Sequence, residues 1–101
     1  MQDITAEEFA DLLKSKADIQ LLDVREKIEF HTFNIGGLNI PLGQLTSVLE
    51  DEDLDFESEK PIIVICQHGL RSKTAKLLLE DAGFKFTQNL LGGLAKFQRL
   101  S

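Results

Sequence analysis

A run of apolar residues at positions 61–66, with the sequence P-I-I-V-I-C, constrains the fold more than any other feature of this chain. Residues 62–65 are all β-branched, and such side chains favour extended backbone. Because this strand would have no polar face, other parts of the chain must cover both of its sides. A second apolar run, I-Q-L-L-D-V at 19–24, is too short for a typical helix and predicts another buried strand. The two runs together indicate a sheet that is covered on both faces.

Helical patterns alternate with strand patterns along the rest of the chain. Thr5 and Glu8 have the spacing of a capping box, so a helix that carries Phe9 and Leu12 on one face is expected to start there. The patterns then predict, in order, the strand at 19–24, a helix at 26–30, a strand at 38–40, a helix after Pro41, the strand at 61–66, a helix at 72–82, a strand at 86–91 and a helix after 92–93. This order predicts an α/β fold with a mainly parallel sheet.

Length, charge and hydropathy limit the kinds of partner that this chain can have. Its 101 residues provide for one compact domain. Seventeen acidic against eleven basic side chains give a net charge of -6, which is the wrong sign for binding a nucleic-acid backbone. The first residues lack the basic start and apolar run of a signal peptide, and no apolar stretch approaches the ~20 residues of a membrane-spanning helix. We therefore expect a cytoplasmic protein without nucleic-acid or membrane partners.

The chain has a single cysteine, Cys66, and this limits what the thiol can do. One cysteine cannot form an internal disulfide or supply a sulfur-rich zinc site. His31 and His68 do not stand at metal-ligand spacing with it, so we expect no metal ion and no other cofactor. The thiol is therefore either a small core residue or a reactive group.

The segment that follows Cys66 favours a reactive thiol. Functional crevices of parallel sheets lie beyond the carboxyl ends of the strands, and Q-H-G-L-R at 67–71 leads from Cys66 to the predicted helix at that edge. Gly69 can adopt a positive φ, which lets successive backbone N–H groups turn inward around an anion. The helix N-terminus and Arg71 add positive charge. We therefore expect a lowered thiol pKa and a nucleophilic thiolate at neutral pH.

The residues around Cys66 resemble the active-site loop of rhodanese-domain sulfurtransferases. Positions 66–72, C-Q-H-G-L-R-S, are similar to the family pattern C-x-x-G-x-R-S. Further segments resemble the family in the same order, namely L-D-V-R-E at 22–26, N-I-P-L at 39–42, A-G-F at 82–84 and L-G-G at 91–93. This resemblance covers nearly the whole chain. It implies a single rhodanese-like domain over residues 1–101 with a three-layer fold, in which helices cover both faces of a mainly parallel, five-stranded sheet.

The resemblance also implies that the chain is a sulfurtransferase whose nucleophile is Cys66. The thiolate would take a sulfur atom from thiosulfate or another sulfane-sulfur donor, form a persulfide, and pass the sulfur to a thiol, to cyanide or to an acceptor protein. The substrate-binding residues would be those of the loop and of the helix start, namely Gln67, His68, Gly69, Leu70, Arg71 and Ser72. Because the chain has no second cysteine, an outside acceptor must discharge the persulfide.

Three further charged residues are candidates for supporting roles. Asp23 and Arg25 follow a predicted strand, so a parallel sheet would place them at the same edge as Cys66, where they could also pair with each other. Lys73 lies in the first turn of the predicted helix, which is an unfavourable place for a cation and is consistent with attraction of an anion or with simple solvation. Arg71 could bind the donor, lower the thiol pKa, or form an ion pair with a nearby carboxylate.

Two other functions are compatible with the sequence. Related phosphatases have five residues between the cysteine and the arginine, whereas four residues separate Cys66 from Arg71. This shorter loop makes phosphatase or arsenate reductase chemistry the weaker alternative. The other alternative is a rhodanese-like module that binds a partner without catalysis. A purely binding protein could lose the cysteine and the arginine, so their presence favours an enzyme.

Overall fold

The computed structural model describes residues 1–100, and Ser101, the last residue of the predicted domain, lies outside the described residues. Every helix and strand predicted from the sequence is present, with ends that differ by a few residues. In chain order the elements are α1 (Ala6–Lys14), β1 (Gln20–Asp23), α2 (Lys27–Thr32), β2 (Leu38–Asn39), α3 (Leu42–Glu50), β3 (Ile62–Ile65), α4 (Leu70–Asp81), β4 (Thr87–Asn89) and α5 (Gly93–Gln98). Within residues 1–100, no helix is long and apolar enough to cross a membrane.

The strands form one parallel sheet in the order β2-β1-β3-β4. Leu22 of β1 pairs with Val64 of β3 on one side and with Leu38 of β2 on the other. All four residues of the central strand β3 are buried, as its wholly apolar sequence requires. The predicted α/β fold with a parallel sheet is therefore confirmed. Because the strands are parallel, the residues that follow β1 and β3 lie at the same edge of the sheet.

The sheet has four strands within the described residues, and the expected number of five is wrong. Beside β4, only Ile4 occupies the position of a further strand, where it forms an isolated parallel bridge with Leu90. The next residue, Thr5, is already the N-cap of α1: its hydroxyl accepts a hydrogen bond from the N–H of Glu8 at 3.1 Å, and the Glu8 carboxylate accepts one from the N–H of Thr5 at 2.9 Å. The predicted capping box thus turns the chain into a helix after a single bridge residue.

Alternate side chains of β3 pack into two apolar cores on opposite faces of the sheet. Ile62, Val64 and Cys66 belong to one core, which also contains residues of α3 and α4. Ile63 and Ile65 belong to the other core, which contains residues of α1 and α5. Each fully buried Ile or Val contributes about 2 kcal/mol through the removal of apolar surface from water. Because side chains alternate along β3, the sheet is covered on both faces and the fold has three layers. The same alternation directs the side chain of Cys66 towards the face covered by α4.

Candidate active site

Cys66 follows β3 directly, and residues 67–69 connect it to the first residue of α4. Gly69 is the N-cap of α4 and has a φ of 90°, as the sequence predicts for this position. A side chain would be strained there, and its Cβ would lie 3.1 Å from the backbone nitrogen of Gly92. The glycine therefore permits a tight turn that aims the N-terminus of α4 at the cysteine.

The sulfur of Cys66 accepts hydrogen bonds from the backbone of the loop and of α4. The N–H of Gly69 lies 3.0 Å from Sγ, and the N–H of Ser72 lies 3.3 Å from it. The hydroxyl oxygen of Ser72 is 3.2 Å from the same sulfur. Cys66 itself is 1% exposed, so these bonds act on a sulfur atom that water hardly reaches. This arrangement resembles an oxyanion hole built for sulfur.

These contacts determine the acidity of the thiol. Burial raises the pKa of Cys66, but hydrogen bonds from the Ser72 side chain and from the backbone of Ser72, Gly69 and His68 outweigh burial and lower the pKa below its ordinary value. A lowered pKa increases the fraction of thiolate, which is the nucleophilic form of cysteine. The structure thus supports the expected activation of Cys66 and identifies the backbone N–H donors and the adjacent Ser72 hydroxyl as its cause.

Asn89, the last residue of β4, is part of this site although the sequence analysis did not select it. Its Oδ1 accepts a short hydrogen bond from the hydroxyl of Ser72, and its Nδ2 donates to the carbonyl of Gly69 at 3.0 Å. Asn89 is 3% exposed and therefore holds two residues that contact the sulfur from inside the protein. An amide at the end of a buried strand, just before L-L-G-G, is the sequence signal that could have identified it.

The N-terminus of α5 holds the first part of the loop. The N–H of Leu94 donates to the carbonyl of Cys66 at 2.9 Å, and the N–H of Ala95 donates to the carbonyl of Gln67 at 3.0 Å. Gly93, with a φ of 62°, approaches the loop so closely that a Cβ would lie 2.5 Å from both of these carbonyl oxygens. The loop carbonyls therefore face α5, while the N–H groups of Gly69 and Ser72 face the sulfur.

Arg71 forms an ion pair with Glu29 of α2. Its Nη1 lies 2.6 Å from Oε1 of Glu29, and its Nη2 lies 2.9 Å from Oε2. The arginine is 38% exposed and the glutamate 32% exposed, so the pair lies at the surface. The Arg71 hydrogen bonds lower the pKa of Glu29 to about 2, and the Glu29 hydrogen bonds raise the pKa of Arg71. Of the roles considered for Arg71, the structure shows the ion pair, and Glu29 is a second residue that sequence reasoning missed.

Asp23 and Arg25 pair with each other, which is one of the two roles considered for them. The guanidinium of Arg25 donates to both carboxylate oxygens of Asp23, the shortest distance being 2.9 Å, and both residues are buried. Arg25 also donates to the carbonyls of Phe33 at 2.7 Å and of Glu29 at 3.4 Å. The pair thus attaches α2 to the end of β1 and supports the helix that carries Glu29.

The other predicted site residues lie in the loop or in the first turn of α4, and among the described residues their side chains form no hydrogen bond with Sγ. Gln67 is half-buried, and His68, Leu70 and Lys73 are exposed. Lys73 occupies the first turn of α4, as the sequence predicts. Within residues 1–100, no three His, Cys, Asp or Glu side chains lie close enough together to hold a metal ion. The chemistry available at this site is therefore that of a cysteine thiolate in a ring of hydrogen-bond donors, next to a paired arginine.

Comparison with known proteins identifies the family. Residues 5–100 match the sequence model of the rhodanese-like domain. This chain therefore belongs to the rhodanese-like domain family, and the resemblance seen in its motifs is confirmed.

One relative and one solved structure similar to this chain are named sulfurtransferases, and a second relative is uncharacterized. Thiosulfate sulfurtransferase GlpE of Coxiella burnetii is 33% identical over 82 residues, which are 80% of this chain and 73% of that protein. The uncharacterized protein YqhL of Bacillus subtilis is 36% identical over 98 residues, which are 96% of this chain and 72% of that protein. The human single-domain sulfurtransferase TSTD1 has 25% identity, a TM-score of 0.84, and coverage of 98% of this chain and 96% of that one.

Proposed function

We propose that this chain is a sulfurtransferase that carries sulfur as a persulfide on Cys66. The observation that supports this most directly is the pair of hydrogen bonds that the sulfur accepts from the backbone N–H groups of Gly69 and Ser72 at the N-terminus of α4. Such donors stabilise the thiolate that must attack, and they can stabilise the anionic outer sulfur of the persulfide in the same way.

The first half-reaction uses thiosulfate or another sulfane-sulfur donor. The Cys66 thiolate attacks the outer sulfur of thiosulfate, a new S–S bond forms, and the bond to the sulfonate sulfur breaks. The electron pair of that bond leaves with sulfite. In the second half-reaction, an acceptor thiolate attacks the outer sulfur of the persulfide, and Cys66 is released as a thiolate. No proton shuttle is required, because nucleophiles and leaving groups are anions in both steps.

The acceptor comes from outside the described residues, which contain Cys66 as their single cysteine. A thiol, cyanide or a sulfur-acceptor protein can each take the outer sulfur. The homology to a thiosulfate sulfurtransferase supports a partner that gives or takes sulfur, without selecting one acceptor.

Mass spectrometry of the intact protein after incubation with thiosulfate tests the proposal. We expect a gain of one sulfur atom, which cyanide or dithiothreitol removes and which the Cys66→Ala variant does not acquire. If the wild-type protein shows no adduct and its thiol titrates like a free cysteine, the chain is a non-catalytic module instead. Phosphate release from an aryl phosphate, abolished by the same variant, would identify a phosphatase.

A further inference from the structure

We propose that Glu29 is a specificity-determining residue that makes the site discriminate against small anionic sulfur donors. Its carboxylate binds both terminal nitrogens of Arg71, which could otherwise bind two oxygens of a donor sulfonate, and it therefore acts as a competitor that is tethered to the protein. This inference rests on the proposed sulfurtransferase function and concerns the class of donor that the site accepts.

The geometry of the ion pair explains the competition. Both terminal nitrogens of the Arg71 guanidinium bind Glu29, one to each carboxylate oxygen, at 2.6 Å and 2.9 Å. A guanidinium presents a planar fork of N–H donors that fits two oxygens of a carboxylate, a phosphate or a sulfonate. A sulfonate can bind both terminal nitrogens in this way only if it displaces the carboxylate of Glu29.

Glu29 is held in this position by contacts other than the ion pair. Its Oε1 accepts a hydrogen bond from the N–H of Glu26 at 2.9 Å, which is part of the capping box of α2. Its carbonyl accepts a hydrogen bond from buried Arg25, which is anchored to Asp23. Because the competitor is anchored and Arg71 keeps it ionised, a free anion must displace a preorganised partner.

The net charge of the whole chain also disfavours small anionic donors. With a formal net charge of -6, the protein repels a dianion such as thiosulfate at long range, and the pairing of Arg71 removes a local positive charge that could compensate. A donor that carries its sulfane sulfur on an organic thiol, without a sulfonate, does not need this guanidinium. The site therefore favours persulfide donors of that class over thiosulfate.

The variant Glu29→Gln tests this inference, and Glu80→Gln is its matched control. Glutamine keeps an oxygen that can accept from the Glu26 N–H, so α2 can retain its cap, while the ionic competitor disappears. Glu80 is exposed near the other end of α4, and its replacement removes the same charge while the ion pair and the cap of α2 stay intact. Circular dichroism, suited to a chain without Trp or Tyr, verifies that each variant is folded.

Two readouts separate anion binding from sulfur transfer. Sulfate, an unreactive analogue of the donor anion, should protect Cys66 against iodoacetamide at a concentration two- to fivefold lower in Glu29→Gln, roughly the effect of opening a partly exposed ion pair. The KM for thiosulfate should fall by a similar factor at unchanged kcat, while the KM for an organic persulfide stays the same. In an Arg71→Ala background, Glu29→Gln should have no effect on either measurement.

Three results would overturn the inference. The first is unchanged protection by sulfate in Glu29→Gln. The second is an equal gain in Glu80→Gln, which would assign the effect to net charge and not to the ion pair. The third is a gain that persists without Arg71. Failure of the proposed function would look different, since no variant would form a persulfide while the sulfate protection could still be measured.

Discussion

At the scale of single residues, Ser72 is the residue that contacts both the reactive sulfur and a buried amide. Its hydroxyl lies between the sulfur of Cys66 and Oδ1 of Asn89, and all three residues are buried. The amide of Asn89 is oriented by the bond from its Nδ2 to the carbonyl of Gly69, so that Oδ1 faces the hydroxyl. Ser72 therefore links the reactive sulfur to the interior of the sheet.

The variant Ser72→Ala should make the thiol less acidic. Removal of the hydroxyl deletes a hydrogen bond that lowers the pKa of Cys66, so the pKa rises. At pH values below the thiol pKa, alkylation by iodoacetamide should become slower by about tenfold, as expected for one hydrogen bond to a charged acceptor. The pH dependence of the alkylation rate measures this change. Ser47→Ala, at an exposed position of α3, should leave the profile unchanged.

The variant Asn89→Ala should affect both stability and reactivity. It leaves the Ser72 hydroxyl and the Gly69 carbonyl without their buried partner, which should lower the free energy of unfolding by about 1–3 kcal/mol. Cys66 should also react more slowly, because the Gly69 carbonyl loses the bond that holds the Gly69 N–H against the sulfur. The Ser72 hydroxyl, whose single proton Asn89 accepts, can then turn to the sulfur, which limits this loss. Gln88→Ala removes a neighbouring amide whose bond to the Gln2 carbonyl is exposed. This variant should change neither the free energy of unfolding nor the reactivity of Cys66. Urea unfolding and alkylation rates provide the comparison.

At the scale of helices and strands, local patterns predict most of what is observed. The apolar run at 61–66 becomes β3, and Thr5 and Glu8 cap α1, because these signals depend only on neighbouring residues. The start of α4 differs from its prediction: the helix begins at Leu70 and not at Ser72. Gly69 in the left-handed conformation takes the N-cap, and a hydrophobic pattern does not show where such a cap lies.

Substitution of two glycines by alanine should change the stability of the protein in opposite directions, because a Cβ at Gly93 would touch the cysteine loop and a Cβ at Gly43 would touch nothing. In Gly93→Ala, the new Cβ would lie 2.5 Å from loop carbonyl oxygens at a positive φ, so we expect a loss of about 2 kcal/mol in the free energy of unfolding, together with slower alkylation of Cys66. In Gly43→Ala, on the exposed side of α3, the Cβ meets no atom within 4 Å, and helix propensity should stabilise the protein by up to about 1 kcal/mol. Equal effects of the two substitutions would contradict this account of the loop.

At the scale of the whole molecule, the pair between Glu29 and Arg71 joins α2 to α4 across 42 positions of the chain. It predicts a pH dependence of stability. Glu29 has a pKa of about 2 in the folded protein, below its ordinary carboxyl value near 4.3 in an unfolded chain. The stabilisation is therefore complete above the unfolded pKa and is lost as the pH falls from about 5 to about 2.

Urea unfolding of the wild type and of Glu29→Gln at several pH values measures this contribution. At pH 7 the wild type should be more stable by at most about 1 kcal/mol, because both partners are about one-third exposed and solvent screens the pair. The difference should shrink towards pH 2.5. A difference that stays constant over this range would show that the glutamine perturbs packing and not an ion pair.

The amino-acid order alone is sufficient to predict the α/β fold, the parallel sheet and the position of Cys66 between a buried strand and a helix. These features follow from apolar periodicity and from signals a few residues apart. The partners of the site residues are not predictable in this way, since Arg71 meets Glu29, Ser72 meets Asn89, and the chain after Ile4 enters a helix and forms no fifth strand. A guanidinium or a hydroxyl can bind any acceptor within reach, and only the packing of distant segments brings one particular acceptor to it.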